Sequence, residues 1–377
     1  MPGPLERLRN ALGIGAGDGG DRTHHVPATL DTPPVFDPLD PRFVRDPYPT
    51  FAHLRDNEPV HRAPGGAWVI TKYEDVYNAL ADTRLSNRPA RYAVVSRRNR
   101  DRYVCAEVAN NILPFQDAPE HTEPRKAIGR SFHDRLRVSP PAVAKIAESL
   151  VDGWKKGEEL DVVADYASPL AVATIANMLG VPAIDGARLE RWSEPFFYLF
   201  TAIPSTAARE ELDQSLAEFR AYLRGLVSAR RASPTDDVLS MLANMGEPAR
   251  LTDAQVVDNC MLLFADGVEN VDRGIGNAIH TLLRHPEQLR LLRERPDLLD
   301  SAVSEALRFE SPAQFIGRIA LADVDLGGVT IPADSMVLLV LGSANRDPRQ
   351  FSSPDTFDIT RDANPHLAFG RGRHSCI

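Results

Sequence analysis

HLAFGRGRHSCI, residues 366–377, sets two glycines around an arginine and then a histidine and a cysteine two residues apart. Gly370 and Gly372 can adopt positive φ and let the backbone approach another body closely. A loop of this kind can aim amide N–H groups at the Cys376 sulfur, which stabilises a thiolate and tunes any metal it binds. A lone free cysteine is by default a small buried hydrophobe, and that is the reading for Cys105 and Cys260. Cys376 has no CxxC partner, so zinc with four protein ligands is poorly served. One thiolate suits haem iron, whose equatorial ligands come from the porphyrin.

Three more patterns stand upstream. Glu305-Ala-Leu-Arg308 puts a carboxylate and a guanidinium on one helix face. It is followed in order by RFESP, Arg318, NRDP and FSSPDTFDITR. DAPEHTEPRKAIGRSF (117–132) carries His121 and Arg125 four residues apart, suited to charge-assisted hydrogen bonding of carboxylates. ADGVENV (265–271) lies mid-way along a helical pattern running from 252 to 286, capped by Thr252-Asp253 and stopped by Pro286. Such a helix spans about 50 Å. Its centre is apolar on nearly every face and should be buried. A glycine at 267 costs ~1 kcal/mol in a helix interior, so a reason is expected.

This ordered set resembles the cytochrome P450 family. FGRGRHSC resembles its haem-binding loop, with Phe369, Gly372, His374 and Cys376 matching. The resemblance implies a mainly α fold with small β-sheets, with Cys376 as the metal ligand. It implies His121, Arg125, Arg318 and His374 as donors to the two haem propionates. Glu305 and Arg308, closed by Arg361, would form a buried ion network that maintains the fold. Over the distal face the family has small-Gly-x-Glu/Asp-Thr. Gly267 and Glu269 match, while Asp266 replaces a small residue and Asn270 the threonine. Gly267 would open a groove for dioxygen, and Glu269, with Asp266 as a second carboxyl, would deliver protons. The segment 46–89 is similar to the start of soluble bacterial members. The chain stops before the family's final helix and hairpin, so a P450-like domain over 31–377 lacking those elements is expected.

The activity so implied is a haem-thiolate monooxygenase acting on a small molecule, of natural-product type. Its cofactor would be haem b, with electrons from NAD(P)H through a ferredoxin and its reductase. The ferredoxin would dock near Lys126, Arg130, Arg371 and Arg373. Two alternatives remain: a peroxide-driven haem enzyme, and a haem-free relative that activates a glycosyltransferase. Cys376, His121, Arg125 and Arg318 weigh against the second. The loop at 83–117 and the segment 185–210, with Phe196, Phe197, Tyr198 and Phe200, should line the pocket.

Bulk properties bound the rest. The 377 residues have a net charge of -9, which argues against non-specific nucleic-acid binding and docking on anionic membranes. No apolar run approaches the ~18 residues of a membrane span. The N-terminus has no signal-peptide core, and residues 1 to about 30 read as a mobile arm. Three scattered cysteines fit a reducing cytoplasm. A monomer is expected. Along the chain, helices are predicted at 47–57, 74–82, 142–154, 168–180 and 210–232. A strand–turn–strand is predicted over 59–73, a long loop over 83–117, and short strands after 312. The reading gives a small sheet at each end of the sequence.

Overall fold

The computed structural model describes residues 35–377 apart from 156, 158, 183–184, 202 and 247–250. The arm expected at 1 to about 30 lies outside the described residues. The fold is mainly helical, as the apolar periodicity requires. The long helix runs Asp253–Arg284, and Thr252 and Gln255 close it with a reciprocal capping box. Every residue from Val256 to Ala265 is buried. From Asp266 onward only Val268 and Thr281 are buried, and Val271 and Leu283 are exposed. The expected burial of the helix's centre therefore holds up to Ala265 and at Val268, and gives way to partial exposure beyond.

That buried half packs against the helices Ser168–Leu179 and Thr206–Ala232. Ser205 caps the latter by accepting from the Ala208 amide. Gly180, at φ +79°, ends the former in a left-handed turn. Shared core residues include Ile175, Leu216, Phe219 and Phe264. Each such side chain contributes ~1.5–3 kcal/mol when withdrawn from water.

The strands depart from the two-sheet expectation. They are β1 (Val60–Arg62), β2 (Trp68–Ile70), β3 (Leu85–Ser86), β4 (Ile316–Ala320), β5 (Val324–Leu326), β6 (Val329–Ile331) and β7 (Met336–Leu339). Five form one sheet in the order β1-β2-β7-β4-β3, and β5–β6 is a separate hairpin. β2 pairs parallel with β7, so early and late parts of the chain share one sheet. The reason is length: an isolated two-stranded hairpin is marginal in water and needs further strands.

The predicted loop 83–117 is also more structured than its composition suggests. It contains the helix Val104–Asn111, whose Cys105, Ala106, Val108 and Ala109 are fully buried. Flanking arginines hide this short apolar stripe from periodicity. Among the described residues no helix is long and apolar enough to cross a membrane.

Candidate functional site

The 366–377 segment is held by its own turns. The Gly370 amide donates to Leu367 O at 2.8 Å, Ser375 N to Gly372 O at 3.1 Å, and Cys376 N to Phe369 O at 2.8 Å. Gly370 and Gly372 have φ of +62° and +79°. A Cβ on Gly372 would also lie 3.2 Å from Leu80 O, so conformation and space both demand glycine there. Phe369 is exposed and stacks loosely on His366, with ring centroids 5.8 Å apart.

The Cys376 side chain reaches solvent. Burial of its surroundings raises the thiol pKa, and the negative charge of Asp266 adds to this. The Ile377 amide and Arg125 act the other way. Asp266 is thus close enough for its charge to be felt at the sulfur. Cys105 and Cys260 are different: burial pushes each to about 12, and they sit inert in the core.

Around this loop gathers a basic cluster. The His121 and His374 rings lie 4.3 Å apart. Arg125, from the Thr122–Leu136 helix, donates to Ser375 O at 2.8 Å and to Cys376 O at 3.3 Å. Arg318, on inner strand β4, is 6% exposed, and the one side-chain hydrogen bond it makes among the described residues goes to the neighbouring Gly317 carbonyl. The buried His374 Nε2 has no hydrogen-bond partner among the described residues. Burial, then the charges of His121, Arg318, Arg373 and Arg125, push His374 down to about 3. Burial, then Arg125 and Arg373, push His121 down to about 4. Burial lowers Arg318 to about 10, with Asp117 opposing. The cluster is positive, water-poor and under-satisfied.

On the long helix, Asp266 and Asn270 share a hydrogen bond, Asn270 Nδ2 donating to Asp266 Oδ1 at 3.3 Å. Burial alone raises Asp266 to about 6. Glu269 instead pairs with Arg273, whose guanidinium also donates to the Glu269 carbonyl at 2.7 Å. The two carboxyls anticipated as one proton-delivering pair therefore have different surroundings. Gly267 has a packing reason: a Cβ there would meet Ile175 Cδ1 and Cγ1 at 2.9 Å.

The third constellation lies in the helix Leu299–Phe309. Glu305 and Arg308 are fully buried and joined at 2.7 and 2.8 Å. Arg361 Nε, Asn364 Nδ2 and the Asp358 amide add three donors to the same carboxylate. Arg308 also donates to the carbonyls of Asn345 and Pro354, each at 2.8 Å.

Sequence reasoning missed several anchors. Asn345 receives the Leu367 amide at 2.6 Å and donates to Ser311 Oγ at 2.8 Å, tying the start of the 366–377 loop to the ion network. Arg346 lies between the rings of Tyr48 and Phe309, 3.4 and 3.8 Å from their centroids. Asp347 accepts from the Tyr73 amide at 2.9 Å. All three belong to NRDP, which the sequence places in the ordered set of motifs without assigning its residues a role. Asp117 accepts from Ser86 Oγ at 2.6 Å and faces the basic cluster.

Comparison with known proteins follows this geometry. The Cytochrome P450 family matches residues 191–377. A biotin biosynthesis cytochrome P450 of Bacillus subtilis is 36% identical over 89% of this chain and 85% of its own. Cytochrome P450 monooxygenase PikC of Streptomyces venezuelae is 36% identical over 93% and 84%. Among solved structures, P450BioI in complex with a hexadec-9Z-enoic acid ligated acyl carrier protein superposes with a TM-score of 0.81. Its identity is 34%, covering 89% of this chain and 87% of the other. CalO2 gives 0.84 at 33% identity, with coverage of 91% and 86%.

The chain belongs to the cytochrome P450 family. It is an enzyme of the monooxygenase type, and its relatives are bacterial.

Proposed function

We propose that this chain is a haem-thiolate monooxygenase oxidising a small natural-product substrate, built as one domain over 31–377. Cys376 would ligate the iron, and His121, Arg125, Arg318 and His374 would hold the two propionates. The observation that carries this is the basic cluster beside Cys376. Among the described residues, buried Arg318 and the orphaned His374 Nε2 have no bonded carboxylate partner, and two propionates would supply both acceptors and charge. Haem held there supplies dioxygen activation, with the cysteine as the electron-donating ligand.

The chain's own residues then have distinct tasks. Glu305, Arg308 and Arg361 fix the Leu299–Phe309 helix against the segment leading to Cys376. Asn345 extends that anchorage to Leu367. Asp266, raised to about 6, holds a proton in part of the molecules near neutrality. Its Oδ1 accepts from Asn270, which leaves Oδ2 for the proton. Gly267 keeps this turn close against Ile175. An amide at 270 can hold water but cannot relay a proton through a single atom as a hydroxyl can. Asp266 or a polar group of the substrate therefore takes that task.

NAD(P)H would supply electrons through a ferredoxin and its reductase, the ferredoxin docking near Lys126, Arg130, Arg371 and Arg373. The relatives' names speak of biotin biosynthesis and of an acyl chain linked to a carrier protein, so free and carrier-linked substrates both belong to this reading.

The test is spectroscopic. Reduced protein with carbon monoxide should show the red-shifted Soret band of thiolate ligation. Cys376→Ala should lose the band, while Cys105→Ala and Cys260→Ala should keep it. A band surviving in Cys376→Ala refutes the assignment.

A further inference from the structure

The chain is acidic overall, yet RPARYAVVSRRNRDR (88–102) carries six arginines and one carboxylate. Arg88, Arg91, Arg97, Arg98 and Arg100 line one cavity of about 560 Å³. Arg88 is spoken for, meeting Asp117 at 3.3 Å and Glu120 at 3.0 Å. The other four make no ion pair among the described residues. Arg91 and Arg98 flank the ring of exposed Tyr92 at 5.9 and 5.7 Å. Arg100 makes one hydrogen bond, to Asn111 Oδ1 at 3.3 Å. Four like charges around one concavity repel each other and raise the local concentration of anions.

A second observation is independent of charge. Ser96 is 3% exposed and Gln116 8% exposed, and both line this cavity. Ser96 Oγ and Gln116 Oε1 have no hydrogen-bond partner among the described residues. Buried polar atoms without partners are uncommon and ask for an explanation. The hydroxyl can donate to an anion's oxygen. The amide oxygen needs an N–H or O–H donor.

We propose that this cavity is a substrate-recognition subsite for an anionic group, a carboxylate or a phosphate ester, and that any N–H or O–H beside that group is received by Gln116 Oε1. Gln255, on the long helix, also lines it. At 1.5 Å per residue it lies ~16 Å along that helix from Asp266. Resting on the reading that oxidation occurs beside Asp266, the substrate is elongated, anchored at its charged end and oxidised far from it. Two sources supply such an end: a free long-chain acid, or the phosphate of a pantetheine arm on a carrier.

Titration calorimetry at low ionic strength tests this with two probes, dodecanoate and 4′-phosphopantetheine, on the full chain. At least one should bind. Arg97→Gln with Arg98→Gln should weaken it about tenfold or more, as loss of charged hydrogen bonds implies. Both arginines are exposed, so the fold should survive, which circular dichroism checks. Ser96→Ala, which changes no charge, should weaken binding several-fold. Dodecanoate alone binding identifies a free acid, and 4′-phosphopantetheine alone a carrier-linked one. Binding of neither probe, or binding undiminished in the double arginine variant, overturns the proposal. The carbon monoxide band of that variant should be unchanged. Absence of the band in the parent protein would count against the haem-thiolate reading, not against the anion site.

Discussion

Replacing Glu305 by glutamine preserves volume and tests the buried network most sharply. Oε1 accepts from Arg308 Nη2 at 2.8 Å and the Asp358 amide at 3.0 Å. Oε2 accepts from Arg308 Nε at 2.7 Å and from Arg361 Nε and Asn364 Nδ2, each at 3.1 Å. A glutamine has one oxygen and one NH2. Either orientation turns at least two donors against a donor. Each buried donor left unmatched costs ~1–3 kcal/mol. Arg308 meanwhile keeps its charge with its buried counter-ion gone, and breaking such a pair costs ~3–5 kcal/mol. The two figures describe overlapping losses, so a total near ~4 kcal/mol is expected, a large share of a typical 5–15 kcal/mol stability. Urea unfolding followed by circular dichroism reads this as a lower midpoint at unchanged slope. Glu120→Gln is the contrast, because its Arg88 pair is solvent-exposed and should be worth under ~1 kcal/mol. If Glu305→Gln costs no more than Glu120→Gln, the network does not anchor the fold.

Asp266→Asn should stabilise the protein at pH 8 and leave it unchanged near pH 4. A folded pKa raised from 3.8 to about 6 gives stability that is complete below about 4 and lost as pH rises through about 6. The ceiling is ~3 kcal/mol, and partial solvent contact reduces it to ~1–2 kcal/mol; a pH-independent effect in urea titrations would contradict the burial argument. Gly267→Ala should cost ~1–3 kcal/mol through contact with Ile175. Adding Ile175→Ala should make the loss less than the sum of the two single changes, and strict additivity would mean the contact is not the cause.

The helices were legible because burial on one side imposes a 3.6-residue rhythm, and because Thr252 and Pro286 mark the long helix's limits. The strands were legible one by one, but their partners were not. Nothing in WVI says that it lies beside MVLL, since pairing depends on the path of everything between. Val104–Asn111 was missed because an eight-residue stripe among arginines carries little periodic signal. In the site, Glu305 and Arg308 could be found because the i,i+3 spacing links them. Asn345 and Asn364 are single amides whose importance comes only from folding. Asp266 was visible as an unusual residue and a second carboxyl beside Glu269, but the source of its raised pKa was not. The structure attributes it to burial, because Glu269 is engaged by Arg273.

The parallel pairing of β2 with β7 also bears on how the protein is made. Residues 68–70 remain without their neighbours at 337–339 until the intervening chain has left the ribosome. At ~5–20 residues per second that interval lasts tens of seconds. The early hairpin must wait with an unpaired edge, a known hazard for aggregation. Contacts so distant in sequence also slow the final search. The helical core around Ser168–Leu179 and Asp253–Ala265 is free to assemble earlier. Yield in a fast-translating host should therefore depend on chaperone supply, and ribosome-bound chains ending before residue 336 should be the most protease-sensitive in their first third.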